Sequence, residues 1–236
     1  IYHHVGVSAF AEYCVVNRGS VVKVDKELPF DEAALFGCAV LTGVGAALNT
    51  AKVFPGASVG VVGLGGVGLN TVLGALVAGA AQVIAIDIHD DKLTLAKELG
   101  ATAAVNAKDP DAIQKIKDLT NGGVDFGFEM AGSVQAMELA YRITRRGGTT
   151  VTAGLPHPDA RWALQHVNLV AEERTVKGSY VGSCVPSRDM PRYIDLFRKG
   201  MLPVDSLMSD HIGLEKINEG FDNLASGHTV RQIIMF

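Results

Sequence analysis

Two groups of residues have types and spacing that chemistry can use. The first is Gly63-Leu64-Gly65-Gly66-Val67-Gly68, a G-x-G-x-x-G run between an apolar stretch at 58–62 and a segment of helical character from 69 onward. In that setting Gly63 permits a tight turn, and Gly65 lets backbone approach a pyrophosphate with no side chain in the way. Gly68 permits close packing of helix on strand, and the helix N-terminus offers N–H groups and partial positive charge to phosphates. Gly66 and Val67 complete the loop. Asp87 stands nineteen residues past Gly68, at the end of the next apolar run. A carboxylate there accepts hydrogen bonds from ribose hydroxyls and repels a 2′-phosphate, which favours NAD over NADP. The competing reading of Asp87 is a cap for the helix that starts at Asp90. Lys92, five residues on, suits either a ribose hydroxyl or solvent. S-adenosylmethionine folds also pair a glycine loop with an acidic residue, but three glycines suit a pyrophosphate better.

The second group is the metal-ligating and nucleophilic side chains. The seven histidines form neither H-x-x-x-H nor H-E-x-x-H, and no complete zinc site is legible. Cys14, Cys38 and Cys184 are far apart with no C-x-x-C pair, and an odd count cannot close entirely in internal disulfides. A reducing, cytoplasmic compartment is expected. Cys38, within Leu35-Phe-Gly-Cys-Ala-Val-Leu-Thr-Gly43, is the candidate thiol. By residue type alone it reads as a buried structural cysteine.

The elements that must position these residues follow from the hydrophobic pattern. With 21 Lys+Arg against 25 Asp+Glu and a net charge of -4, there is no basic field for a nucleic-acid partner. No charged residue lies between Lys52 and Asp87, a run long enough to span a bilayer. Glycines punctuate it, so it reads as a strand buried on both faces with a packed helix rather than a membrane segment. The chain opens Ile1-Tyr2-His3-His4, with no initiator Met and no basic start of a signal peptide, and reads as a piece of a longer protein. Residues 10–24 alternate around Asn17-Arg-Gly-Ser20 and predict two antiparallel strands; 31–48 predicts helix. Strand and helix then alternate: strands at 58–62, 82–88, 103–106, 124–130 and 149–153, helices at 69–78, 90–99, 109–120 and 134–144. Residues 155–174 read as irregular. A strand at 175–181, helices at 190–199 and 214–224, and a strand at 229–236 complete the chain. Such alternation implies an α/β fold, a doubly wound parallel sheet of the Rossmann type.

Several motifs together resemble the medium-chain zinc-dependent alcohol dehydrogenases. They are Gly37-Cys-Ala-Val-Leu-Thr-Gly-Val-Gly45, Val62-Gly-Leu-Gly-Gly-Val-Gly68, Asp87-Ile-His-Asp-Asp-Lys92, Asn121-Gly-Gly-Val-Asp-Phe126 with Phe128-Glu129, Lys216-Ile-Asn-Glu-Gly-Phe221 and Arg231-Gln-Ile-Ile. The resemblance implies a coenzyme domain at 39–181, with 1–38 and 182–236 as remnant and return segment of a β-rich catalytic domain. It implies Cys38 as one catalytic-zinc ligand, against the reading by residue type, and Thr42 at the nicotinamide. Val67 would pack behind that ring, Arg231 would pair with the pyrophosphate, and Asp87 and Lys92 would meet the ribose. The reaction implied is hydride transfer between a small alcohol or aldehyde and NAD, with zinc as Lewis acid. The family's remaining zinc ligands are expected ahead of residue 1, so this chain is expected to bind NAD without oxidising alcohol alone. A homodimer or higher homo-oligomer is implied through the edge strand at 175–181, and Leu155, Val181 and the residues near Tyr180 suit either the alcohol pocket or core packing. A non-enzymatic nicotinamide-binding module and a zinc-free quinone reductase relative are the alternatives.

Overall fold

The computed structural model describes residues 7, 9–227 and 229–236. The chain forms two compact units, residues 38–184 and residues 1–37 with 185–236. A helical run comes first: α1 (Phe30–Leu35), a π-helical turn (Phe36–Val40), α2 (Leu41–Gly45) and a second π-helical turn (Ala46–Ala51). This 22-residue run is long and apolar enough to cross a membrane by length and composition, and 61% of its apolar window is buried inside the protein. The uncharged run between Lys52 and Asp87 is not one helix; it divides into strand, helix and strand.

The larger unit continues with β1 (Ser58–Val62), α3 (Gly66–Val77), β2 (Gln82–Asp87), α4 (Asp90–Glu98), β3 (Ala103–Asn106), α5 (Ala112–Leu119), β4 (Val124–Glu129), α6 (Val134–Ile143), β5 (Thr144–Thr152), α7 (His166–Ala171) and β6 (Thr175–Gly178). Its six strands lie in the order β3-β2-β1-β4-β5-β6, every pair parallel. This is the doubly wound order that reverses between β1 and β4 and opens a crevice at the strands' C-terminal ends. Val59, Val61, Val83, Ile84, Ile86 and Phe128 are buried, as strands covered on both faces require. At the opposite end of the sheet, Asp125 Oδ2 accepts from the Ser58 backbone N–H and hydroxyl, each at 2.8 Å, while Arg145 Nε donates to Oδ1 at 2.7 Å. Burial opposes the ionisation of Asp125, but these donors outweigh it and hold its pKa below the ordinary carboxylate value.

The smaller unit holds α8 (Pro186–Arg198), β7 (Asp210–Gly213), α9 (Ile217–Ala225) and β8 (Gln232–Met235), with β7 and β8 paired in parallel. Phe36 and Phe197 meet edge to face at 5.9 Å, and Tyr193, Leu202 and Val204 are buried. Asp189, also buried, accepts from Arg188 and from the Val185 N–H, and the Arg188 bond first of all lowers its pKa.

Four expectations change. Residues 10–24 form no strand; a 3-10 turn at Arg18–Ser20, held by Asn17 Oδ1 on the Gly19 N–H, is the regular element there. Phe10, Tyr13 and Val15 are 60%, 90% and 103% exposed, because alternation yields a strand only beside a partner that covers one face. Strand β7, unforeseen, has exposed Asp210 and His211 and so lacks an apolar signature. Helix α3 starts at Gly66, three residues earlier than the apolar pattern, because Gly66-Val67-Gly68 form its first turn. The region read as irregular contains α7, a helix with no buried residue.

Candidate functional site

The glycine loop links β1 to α3 in the crevice. Gly63 has φ +91, and a Cβ there would lie 2.7 Å from that of Ala131 in the turn after β4. A Cβ on Gly68 would run into the Gly63 carbonyl oxygen. A Cβ on Gly65 would meet nothing within 4 Å, so this position is open on the side away from the protein. Gly65 caps α3 without any side-chain bond, leaving first-turn N–H groups for a ligand. Val67 follows in that turn, and its carbonyl oxygen sits where a Cβ on Gly43 of α2 would be.

Asp87 closes β2 and is buried. Oδ2 accepts from the Leu64 N–H at 2.6 Å, and Oδ1 from the N–H groups of Ile88 at 2.8 Å and His89 at 3.0 Å. These donors lie in the glycine loop and in the turn ahead of α4. The carboxylate therefore braces the loop and shapes the approach to α4 instead of bonding to that helix's first-turn N–H groups. Lys92 is half-buried on α4.

Gly63, Asp87 and Ile88 line one wall of a cleft of about 740 Å³, whose other wall comes from α5, α6 and residues 161–163. Trp162, the only tryptophan, donates from Nε1 to Glu138 at 3.0 Å and packs edge-on against Tyr141 at 5.3 Å. Arg174 lies 4.6 Å over the Tyr141 ring, and burial raises the Tyr141 phenol's pKa above its ordinary value. This wall carried no signal in the sequence. Glu129, which ends β4, did carry one: like Asp87, it is an acid that closes a buried apolar strand.

Cys38 lies in the first π-helical turn and is exposed, which overturns the reading of a buried structural thiol. Single π-helical turns are frequent at functional sites. Thr42, one turn on in α2, is buried. Among the described residues no group of three or more His, Cys, Asp or Glu side chains is placed to hold a metal ion, so their donors alone do not fit a zinc site. Arg231 precedes β8 in the smaller unit, where its carbonyl accepts from the Ser209 N–H at 2.6 Å.

A family model described as zinc-binding dehydrogenase matches residues 66–199. The chain belongs to the zinc-binding dehydrogenase family. This dehydrogenase chain is 38% identical over 237 aligned residues to alcohol dehydrogenase 1 of Cenchrus americanus and 37% identical to that of Pisum sativum, covering 99% of itself and 62% of each relative. Among solved structures it is similar to benzyl alcohol dehydrogenase from Acinetobacter calcoaceticus, with TM-score 0.93, 33% identity, and 96% of this chain and 62% of that one covered. It is also similar to 2R,3R-butanediol dehydrogenase from Bacillus subtilis, with TM-score 0.83, 28% identity, and 98% and 65% covered. The chain thus spans about 62% of the length of its plant relatives. The α/β fold expected from the resemblance is the fold of these dehydrogenase structures.

Proposed function

We propose that residues 38–184 bind NAD for a zinc-dependent alcohol dehydrogenase that moves hydride between a small alcohol or aldehyde and the coenzyme. The observation that carries this reading is the Asp87 carboxylate, tied at 2.6 Å to the Leu64 N–H beside the open backbone of Gly65. That bond places a negative charge at the mouth of a phosphate-binding loop, where ribose hydroxyls are favoured and a 2′-phosphate is repelled. The adenosine end lies in the cleft beside Ile88, the pyrophosphate over Gly65, Gly66 and the α3 N-terminus, and the nicotinamide toward Val67 and Thr42. Lys92 would donate to a ribose hydroxyl.

Bound NAD supplies the hydride acceptor. The residues of this chain bind and orient it. Cys38 has the exposure and chemistry of one zinc ligand. The described residues do not complete a metal site around it. The chain by itself is proposed to bind NAD without turning over alcohol, and the substrate class follows from the names of its relatives.

Calorimetric titration with NAD and NADP tests the coenzyme reading. Wild-type protein should prefer NAD. Asp87→Ala should weaken NAD by about 10- to 100-fold, the scale of losing hydrogen bonds to a charged group, and narrow the gap to NADP. An unchanged preference removes Asp87 from this role.

A further inference from the structure

At the C-terminal end of β4, Glu129 is 2% exposed and takes no part in the coenzyme contacts assigned above. Its Oε1 accepts from the backbone N–H groups of Ala131 at 2.8 Å and Gly132 at 2.5 Å, and Oε2 accepts from the Thr152 hydroxyl at 2.7 Å. One carboxylate thus ties the turn after β4 to the last residue of β5. Burying a charge is costly unless its oxygens find donors, and here three donors meet that cost. The same three bonds fix the shape of the crevice's rim.

Close backbone packing surrounds this carboxylate. Ala131 abuts Gly63 of the glycine loop, as the 2.7 Å approach of a Cβ on Gly63 shows. A Cβ on Gly132 would lie 3.0 Å from the Leu155 carbonyl oxygen, and one on Gly154 would lie 2.7 Å from Glu129 Oε2. The loops after β1, β4 and β5 are therefore keyed to one another with almost no slack around Glu129. In a 3-2-1-4-5-6 sheet, each half binds one nucleotide, the first over β1 and β2 and the second over β4 and β5. Asp87 serves the first half. Glu129 ends β4, the first strand of the second half, at the place the glycine loop holds after β1 in the first.

We propose that Glu129 is a positioning residue for the nicotinamide half of the coenzyme: it holds the β4 and β5 rim at the spacing on which that half rests, without touching it. The inference rests on the NAD reading above. It separates the two halves of the ligand, because AMP needs only the adenosine side of the crevice.

The test is calorimetric titration of the full chain with NAD and with AMP, comparing wild type with Glu129→Leu, Glu129→Gln and Gly154→Ala. Glu129→Leu leaves three donors unmet and should weaken NAD by about tenfold or more while AMP stays within about threefold. Glu129→Gln still accepts from Ala131 and Gly132, and its amide N–H meets the Thr152 hydroxyl turned to accept. It should restore NAD binding to within about threefold of wild type. Gly154→Ala displaces the same rim with Glu129 intact and should reproduce the NAD-selective loss; it decides the matter if Glu129→Leu does not fold. Equal loss of NAD and AMP, or no loss of NAD, overturns the positioning role while the NAD reading stands. Failure of wild type to bind NAD overturns that reading, and the positioning role falls with it.

Discussion

Gly65 and Gly68 are three residues apart in one motif, yet their missing side chains serve different ends. Space for a Cβ exists at Gly65 and is filled by the Gly63 carbonyl at Gly68. Gly65 also has φ −70, a conformation any residue adopts. Gly65→Ala should therefore leave thermal stability within about 0.5 kcal/mol of wild type. It should weaken NAD about tenfold, because a methyl group then stands where the proposed pyrophosphate contact needs bare backbone. Gly68→Ala should cost about 1–3 kcal/mol of stability by overpacking the loop. Paired thermal melts and NAD titrations distinguish the two outcomes, and equal destabilisation by both substitutions would mean that Gly65 is a packing glycine. The sequence supports the glycine roles because each follows from its place between a strand and a helix. It misleads at Cys38: residue type favours burial, whereas a π-helical turn leaves the thiol exposed.

At the scale of elements, the segment after β6 stores strain. Val181, Gly182 and Ser183 have φ of +48, +64 and +50, and for a β-branched residue such as Val181 this is a conformational outlier. A Cβ on Gly182 would collide with the Leu41 carbonyl oxygen, and the Cys184 thiol bonds to that same oxygen at 3.2 Å. Packing against α2, where Thr42 lies, therefore holds this left-handed turn in place. Thr50 adds a buried link, its hydroxyl 2.8 Å from those of Ser179 and Ser183. Val181→Gly should raise stability by about 1 kcal/mol, since relief of left-handed strain exceeds the added entropy of glycine in the unfolded chain. A lower melting temperature would show that the Val181 side chain matters more than its backbone strain. The strands and helices of the larger unit other than α7 were legible because each carries its own periodicity. This turn was not, because contacts with α2 impose its conformation against local preference.

The six-stranded sheet ends in a strand whose four residues, Thr175 to Gly178, are all exposed. A bare edge offers unpaired N–H and C=O groups to another strand. Pairing of two copies across this edge is the assembly proposed from the family resemblance. Sedimentation velocity over a concentration series should show a dimer; a monomer at all concentrations would reject this pairing.

Across the whole molecule, the residues determine by themselves whatever depends on local order. Strand–helix alternation specifies a parallel sheet covered on both faces, three glycines at one strand's end specify a tight turn into a helix, and the acid at the next strand's end supplies the ribose contact proposed above. These patterns are short-range, so no partner segment is needed to read them. Tertiary structure decides what depends on a neighbour. It leaves residues 10–24 without a ladder, exposes Cys38, raises a cleft wall around Trp162 and gathers three loops on Glu129. Each outcome turns on burial or on a donor supplied from elsewhere in the chain. Asp87 shows both contributions: its position follows from the spacing of a strand after a glycine loop, whereas its bond to Leu64 exists only once β1 and β2 lie side by side.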